Sequence, residues 1–231
     1  MSFARLIGQS NVKMRLGSAL QGGPGHAYLF TGPAGIGKRS FALAFAKALL
    51  CEHANELGSC DRCPSCRHFD HGVHADFCRI ALEDKEKNIK VERVRQQVSA
   101  DLSIQPQLGR RKVYLLDGDN LNEQGQNALL KSLEEPPDYA VFLLTASGPE
   151  RLLATVLSRV TVLQLQRYCL KELIDILHGA GYSDEDDLDF FVRYANGLPG
   201  AALELVGNPQ FGELRKSAVE LFFSLDRKST R

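Results

Sequence analysis

A glycine-rich segment at residues 32–40, with the sequence GPAGIGKRS, constrains the fold of this chain more than any other stretch. It follows a short apolar run at 27–30 and leads into a helix-like pattern at 41–50. In a strand–loop–helix unit of this kind, glycines let backbone N–H groups surround a phosphate, and a lysine reaches its terminal oxygens. The spacing therefore predicts a phosphate-binding loop. Its predicted nucleotide-binding residues are Gly32, Gly35, Gly37 and Lys38.

One position of this loop departs from the pattern G-x-x-x-x-G-K-[ST]. The last position normally supplies a hydroxyl to Mg²⁺, and here it is Arg39. Ser40 comes one residue later, and one step along a helix turns a side chain by about 100°, so Ser40 is not a simple replacement. We expect the fold of a phosphate-loop protein, and the use of ATP is a separate question.

The composition restricts the class of protein. The 28 basic residues are balanced by 28 acidic ones, so no overall positive field attracts nucleic acid, and any DNA contact must be local or shared with partners. The N-terminal residues lack a signal-peptide core, and no apolar run approaches the roughly 20 residues that span a bilayer. We therefore expect a cytoplasmic protein that has no membrane partner.

Four of the six cysteines are spaced C-x8-C-x2-C-x2-C just after the predicted helix. They are Cys51, Cys60, Cys63 and Cys66. Four thiolates in tight turns suit a structural Zn²⁺ in tetrahedral geometry, which leaves no position for a catalytic water. The alternatives are unrelated free thiols, a disulfide pair, or a histidine in place of Cys51. Cys78 and Cys169 lie outside the spacing, and we expect them to be buried small apolar residues.

An acidic segment, the second candidate motif of a nucleotide site, follows the apolar run at 113–116. Asp117 comes at the predicted carboxyl end of this strand, where a phosphate-loop ATPase places a carboxylate on the Mg²⁺ side. The next residue is normally a glutamate that aligns or deprotonates water, and here it is Gly118. Asp119 would share a strand face with Asp117 and approach the same metal. Thr145 ends another predicted strand beside the nucleotide region, where its small polar side chain can sense a phosphate or only cap the strand.

Strand and helix patterns alternate up to residue 165, which predicts a parallel sheet with helices on both faces. Within this part we expect a strand at 76–82 and helices at 89–102, 121–135 and 150–157. Beyond residue 166 the strand pattern stops. Three helices between 170 and 206 predict a small helical domain, and a further helix is expected at 211–225.

Taken together, several features resemble the clamp-loader branch of the AAA+ family over roughly residues 3–207. They are the phosphate loop, the four-cysteine insertion, the segment NALLKSLEEPP at 127–137, and the pair Ser158 and Arg159. The resemblance implies a RecA-like AAA+ core at 1–165 with a zinc module inserted at about 51–78. It also implies a helical lid domain at 166–207 and the start of a truncated collar domain at 208–231.

The resemblance also implies a function in DNA replication. Members form a hetero-oligomeric ring within the DNA polymerase III holoenzyme that loads a sliding clamp onto primed DNA, so the implied partners are the gamma/tau and delta subunits, the clamp and the DNA. Arg159 matches the arginine that acts in trans at a neighbour's ATP, although Val160 stands where cysteine is usual. Read without the family, Arg159 is a surface arginine paired with a local carboxylate.

Three departures decide the expected role. Arg39, Gly118 and Gly200 stand where motor subunits carry a hydroxyl, a glutamate and a phosphate-sensing arginine. We expect a non-catalytic, stator-like subunit without its own ATPase activity, with structural Zn²⁺ and with ATP and Mg²⁺ as doubtful cofactors. One alternative is an ATP-hydrolysing, gamma/tau-like motor subunit that uses Lys38, Asp117 and Asp119 in an altered geometry. Another is a phosphate-loop protein with an unrelated zinc-stabilised recognition module.

Overall fold

The computed structural model describes residues 2–83, 86–182, 185–208, 210–211 and 217. The chain divides into two compact units, Met1–Gln166 and Arg167–Arg231. The helix predicted at 211–225 falls almost entirely outside the described residues. The assignment of the second unit to a lid and the start of a collar stays a prediction.

A parallel sheet forms the centre of the first unit. Its strands are β1 (Ala27–Thr31), β2 (Phe77–Ile80), β3 (Lys112–Asp117), β4 (Ala140–Ala146) and β5 (Thr161–Gln164). They lie side by side in the order β2-β3-β4-β1-β5, and every neighbouring pair is parallel. The central strands are mainly apolar and almost entirely buried, because both of their faces are covered. The predicted α/β fold with a parallel sheet is confirmed.

Helices connect these strands. They are α1 (Ser10–Gly22), α2 (Lys38–Leu50), α3 (Pro64–Asp70), α4 (Val91–Val94), α5 (Glu123–Glu134) and α6 (Ala154–Leu157). The carboxyl ends of parallel strands meet at one edge of a sheet, so the segments that follow β1, β3 and β4 approach each other there. This edge is where the predicted nucleotide-binding residues lie.

Two predicted helices are less regular than their patterns indicate. The segment predicted at 89–102 is α4 followed by a π-helical turn, Arg95–Ala100, and a 3₁₀ turn, Asp101–Ser103. The segment predicted at 150–157 is split into a 3₁₀ turn, Pro149–Arg151, and α6. The buried amide of Gln126 bonds the backbone at this break: it donates to the carbonyl of residue 151 at 3.0 Å and accepts from the N–H of residue 153 at 2.7 Å.

The second unit is helical in its described residues, as the sequence predicted. Its helices are α7 (Leu170–Gly179), α8 (Glu185–Tyr194) and α9 (Pro199–Val206). Cys169 precedes α7 and is exposed, so the prediction that it is buried is wrong. It forms a capping box with Glu172, whose carboxylate accepts a hydrogen bond from the Cys169 N–H at 2.9 Å. Cys78 is half-buried in β2. Among the described helices, none combines the length and the apolar character needed to cross a membrane.

Candidate functional site

The phosphate loop connects β1 to α2 in a conformation that depends on glycine. Gly32, Gly35 and Gly37 have φ angles of 144°, 76° and 101°, in the region that other residues rarely adopt. Gly32 also lacks space for a side chain, because a Cβ there would lie 3.2 Å from the carbonyl oxygen of Leu165. The fully buried side chain of Ile36 anchors the middle of the loop. The sequence therefore folds here into the predicted strand–loop–helix unit.

Lys38 lies at the first turn of α2 and folds over the loop. Its Nζ donates hydrogen bonds to the carbonyl oxygens of Gly32 at 2.7 Å and Pro33 at 3.1 Å. Burial lowers the pKa of the Lys38 ammonium, and the carboxylates of Asp119 and Asp117 partly offset this effect. The lysine is thus placed at the mouth of the loop and within electrostatic reach of the end of β3.

Asp117 ends β3, and its neighbour in the sheet, Thr145, is the second-last residue of β4. The Asp117 carboxylate accepts a hydrogen bond from the Asn120 side-chain amide at 2.8 Å. Asp117 and Thr145 line a small cavity of about 70 Å³ together with Arg39 and Arg79. The structure therefore brings the predicted residues Asp117 and Thr145 to the same edge of the sheet as the loop, and their roles stay predictions.

Arg79 is a member of this edge that the sequence pattern did not single out. It lies in β2, the strand at the outer side of the sheet, and borders the cavity beside Asp117. Burial and the nearby Arg39 guanidinium lower the pKa of Arg79, while the Asp117 carboxylate raises it. The sequence did contain a signal for Arg79 as a site residue: it is a basic residue near the carboxyl end of a predicted strand, where it faces the phosphate loop.

Gly118 has no space for a side chain. It is buried, and a Cβ at this position would lie 2.9 Å from the carbonyl oxygen of Thr145 and 3.2 Å from a methyl group of Leu152. The first of these contacts is with backbone, which cannot move aside as the end of a flexible side chain does. A glutamate cannot be accommodated here without a shift of β4.

Asp119 does not extend β3, so the expectation that it shares a strand face with Asp117 is wrong. The strand ends at Asp117, and residues Gly118–Asn120 form a 3₁₀ turn. This turn directs the Asp119 carboxylate to Ser147, from which it accepts hydrogen bonds of 2.9 Å from the N–H and 2.7 Å from the hydroxyl. Asp119 therefore connects the ends of β3 and β4.

These residues do not fit a magnesium site. Mg²⁺ requires oxygen ligands in octahedral geometry, and the loop offers a guanidinium in place of the usual hydroxyl. The positive side chains of Arg39 and Arg79 lie beside the Asp117 carboxylate, which is the position that a divalent cation would need. Arg79 of β2 is thus a second cation, beside Arg39, that disfavours the binding of a divalent metal ion here.

The four predicted cysteine ligands come together in the segment after α2. The sulfur atoms of Cys51, Cys60, Cys63 and Cys66 all lie within 4.8 Å of one another, and those of Cys51 and Cys63 are 3.9 Å apart. Tetrahedral zinc with Zn–S bonds of about 2.3 Å requires sulfur separations of about 3.8 Å. All six cysteines are free thiols. The group can hold a metal ion, and in the described part of the chain no histidine joins it.

Backbone N–H groups donate hydrogen bonds to sulfurs of this group, although burial raises the pKa of the Cys51 and Cys66 thiols. The Sγ of Cys51 accepts hydrogen bonds from the N–H groups of His53 at 3.4 Å and Cys60 at 3.3 Å. Burial alone would raise the pKa of the Cys60 thiol, but hydrogen bonds from backbone N–H groups and from neighbouring thiols lower it to about 6. Donors of this kind stabilise thiolates and orient metal ligands.

Lys47 attaches this cysteine module to α2. Its side chain is only 2% exposed, and its Nζ lies 2.7 Å from carboxylate oxygens of both Asp61 and Asp70. Burial would lower the pKa of Lys47, but the two carboxylates outweigh it and raise the pKa above its ordinary value. Asp61 also accepts a hydrogen bond from the Ser2 N–H at 3.0 Å. Sequence reasoning missed Lys47, although a lysine inside the apolar run 41–50 was visible.

Arg159 lies at the opposite edge of the sheet from the phosphate loop. It shortly precedes β5, whose first residue pairs with Tyr28 near the start of β1, whereas the loop follows the end of β1. Its guanidinium lies 2.8 Å from the Glu134 carboxylate and donates to the carbonyl oxygen of Thr155 at 2.6 Å. A third of the side chain is exposed. Arg159 is therefore too far away to act on a phosphate in its own loop.

Comparisons with known proteins agree with this fold. The family described as "DNA polymerase III, delta subunit" matches residues 8–168. The delta' subunit of Pseudomonas aeruginosa DNA polymerase III is 45% identical over 58% of this chain and 41% of its own length. The tau/gamma subunit of Haemophilus influenzae is 37% identical over 82% of this chain and 27% of its own length.

Among solved structures, a gamma subunit-related protein of Thermotoga maritima has a TM-score of 0.57 at 22% identity and shares the fold. The match covers 84% of this chain and 57% of that protein. The chain thus spans less than half the length of the two relatives named above. Because the family match covers most of the chain, the protein belongs to the DNA polymerase III clamp-loader subunits of the AAA+ family.

Proposed function

We propose that this chain is a non-hydrolysing, delta-prime subunit of the DNA polymerase III clamp loader. The observation that carries the proposal is the packing at Gly118, where a Cβ would lie 2.9 Å from a backbone oxygen. A residue that aligns or deprotonates the attacking water cannot be placed there, and Arg39 removes the hydroxyl that holds Mg²⁺. The parts of a phosphoryl-transfer site act jointly, so the two losses together remove turnover.

Arg159 is the residue that takes part in catalysis, at a neighbouring subunit's ATP. Its place at the sheet edge away from its own loop supports a role in trans. A guanidinium next to a neighbour's γ-phosphate stabilises the charge that develops on the transferred phosphoryl group. Its Glu134 partner is half exposed, so exchanging that contact for a phosphate costs little.

The cysteine module is proposed to hold a structural Zn²⁺ through Cys51, Cys60, Cys63 and Cys66. The partners in this proposal are the gamma/tau and delta subunits of a hetero-oligomeric ring. The sliding clamp and primed DNA are reached through that ring, which acts in the cytoplasm. The relatives named delta' and tau/gamma support this assignment.

The decisive experiment assembles the chain with gamma or tau, delta, the sliding clamp and primed DNA. We expect Arg159→Ala to lower ATP hydrolysis at the neighbouring site by about 10³-fold or more, as for other arginine fingers. The matched control is Arg95→Ala, which alters an exposed arginine in the π-helical turn. Unchanged DNA-stimulated hydrolysis with Arg159→Ala would contradict the proposal.

The competing function is an ATP-hydrolysing motor subunit of the gamma/tau type. The 37% identity to a tau/gamma subunit favours it. Its test uses the purified chain alone: hydrolysis that requires Mg²⁺ and is abolished by Lys38→Ala would establish the motor role. We expect no hydrolysis above background, because the site lacks the hydroxyl and the glutamate that turnover requires.

A further inference from the structure

We propose that the phosphate loop binds a diphosphate or triphosphate group without Mg²⁺, and that the guanidinium groups of Arg39 and Arg79 act as its counter-ions. This inference deepens the proposed function, because it states what a non-hydrolysing loop holds. The starting observation is that two guanidinium groups lie beside the Asp117 carboxylate, where a magnesium site would need room for the divalent cation.

The loop retains a phosphate-binding conformation. The positive φ angles of Gly32, Gly35 and Gly37 keep the backbone in the shape that directs N–H groups towards an anion. The Lys38 ammonium lies at the mouth, bonded to two carbonyl oxygens of the loop itself. A phosphate can replace these carbonyls as its partner. The departures from the motif therefore remove metal binding and leave the phosphate cradle intact.

The charges at this edge favour an anion over a divalent cation. Lys38, Arg39 and Arg79 bring three positive charges to the edge, and Asp117 and Asp119 bring two negative charges, which leaves a net positive charge. The Asp119 carboxylate is also bonded to Ser147 and lies 3.7 Å from the Arg151 guanidinium. An approaching Mg²⁺ would be repelled by the net positive charge, whereas a polyphosphate would neutralise it.

The guanidinium groups of Arg39 and Arg79 are also chemically suited to bind phosphate. A guanidinium is planar, stays charged, and donates paired hydrogen bonds that match two phosphate oxygens. The two residues border the same small cavity beside Asp117 and Thr145, so they approach the end of the loop from α2 and from β2. Burial and, to a smaller extent, the nearby Arg39 lower the pKa of Arg79, and a bound anion between the two guanidinium groups would relieve their repulsion.

A larger cavity also borders Arg79. It measures about 630 Å³, and its lining is mainly apolar, with Leu43, Phe69 and Phe77 among its residues. Ser40 of α2 and Arg79 both border it. Cavities of this size and character take drug-sized ligands. The phosphate chain can belong to a nucleotide, whose organic part suits a cavity of this kind, or to an inorganic polyphosphate, which needs no such cavity. The choice of probe separates these two sources.

The test is calorimetric titration of the full chain with ATP and, separately, with inorganic tripolyphosphate, in excess EDTA and in excess MgCl₂. We expect binding of at least one probe in EDTA, and no tighter binding with magnesium. Arg39→Ser should weaken binding in EDTA by about tenfold, since a charged hydrogen bond is lost. The same variant restores a hydroxyl, so its binding should become tighter with magnesium than in EDTA.

Arg95→Ser is the matched control, because it removes an exposed arginine outside the loop and should bind as the unaltered chain does. Thermal unfolding of each variant checks that the fold is retained. The proposal is wrong if the unaltered chain binds neither probe, if it binds only with magnesium, or if Arg39→Ser and Arg95→Ser behave alike. None of these results bears on Arg159, whose role is measured in the assembled complex.

Discussion

At the scale of single residues, a few positions depart from the pattern of a phosphate-loop site that hydrolyses ATP. Arg39 changes the chemistry at the end of the loop, and Gly118 changes the space after Asp117. Arg39 is exposed and can be exchanged without disturbing the core, whereas Gly118 is enclosed by β4 and Leu152. A glutamate at position 118 would therefore require changes in the surrounding structure, whereas a hydroxyl residue at position 39 would not.

The packing at Gly118 leads to a stability prediction. We expect Gly118→Ala to lower the free energy of unfolding by about 1–3 kcal/mol, because its methyl group must displace the backbone of β4. Urea denaturation measures this difference. Gly109→Ala is the matched control, since a Cβ at Gly109 meets no atom within 4 Å, and it should change the stability by less than about 0.5 kcal/mol. Equal effects of the two variants would show that the space at Gly118 is not limiting.

A buried carboxylate gives a second prediction at this scale. Asp76 is 2% exposed and accepts hydrogen bonds from the N–H groups of residues 107, 108 and 109, at 2.6, 2.8 and 3.1 Å. Asp76→Asn replaces one acceptor oxygen by a donor, so we expect a loss of about 2 kcal/mol in the free energy of unfolding. Asp138→Asn, at an exposed aspartate, is the control. Protection of amides 107–109 from hydrogen exchange should fall only in Asp76→Asn.

At the scale of secondary-structure elements, the sheet was predictable and the helical connections were less so. Buried parallel strands are continuous apolar runs, which the sequence displays directly at β1, β3 and β4. The predicted helix at 150–157 is interrupted because the distant side chain of Gln126 bonds the backbone at the break. Periodicity within one segment carries no information about such a partner.

The site residues, like the elements of the fold, were predictable where their signals are local in the sequence. The loop glycines, Lys38 and the four cysteines are local motifs, and their spacing alone was enough to find them. Arg79 and Lys47 were missed because their partners lie far away in sequence: Arg79 meets Arg39 and Asp117, and Lys47 meets two carboxylates of the cysteine module. Asp119 was placed on a strand because period-two alternation cannot show where β3 ends.

The cysteine module gives a metal prediction. We expect one equivalent of zinc in the freshly purified chain, because four sulfurs within 4.8 Å form a closed set of ligands. Its removal by a chelator should lower the melting temperature, since metal binding contributes to folding free energy. Cys63→Ser should lose the metal, whereas Cys169→Ser, at an exposed cysteine outside the group, should keep it. Less than about half an equivalent in the unaltered chain would contradict a structural zinc site.

Lys47 tests how the cysteine module is attached to α2. We expect Lys47→Met to lower the free energy of unfolding by about 3 kcal/mol, the lower end for breaking a buried ion pair, because Asp70 is half exposed and stays solvated. Chemical denaturation measures the loss. Lys90→Met is the control, since Lys90 is 70% exposed and its pair with Glu86 is worth little. A stability loss no larger than that of Lys90→Met would show that the buried pair does not secure the module.

At the scale of the whole molecule, the sheet separates the two sites on which the proposed function depends. The edge at the carboxyl ends of the strands carries the phosphate loop, and the edge at their amino ends carries Arg159. In a ring of similar subunits, this arrangement lets one chain present its arginine to one neighbour while its own loop is turned elsewhere. The proposed loss of hydrolysis at the loop and the proposed role of Arg159 in trans are therefore compatible in one chain, because the two do not share a site.

The pairing of Arg159 with Glu134 allows a direct role of the arginine to be separated from a structural one. The pair is partly exposed and is worth up to about 1 kcal/mol, or roughly a fivefold change in an equilibrium constant. We therefore expect Glu134→Gln to change DNA-stimulated ATP hydrolysis by the assembled clamp loader by less than about fivefold, far less than Arg159→Ala. If Arg159 served only to hold Glu134 and the end of α5, the two variants would lower hydrolysis equally. Measuring both variants in the same complex, with the melting temperature of each isolated chain, decides between these roles.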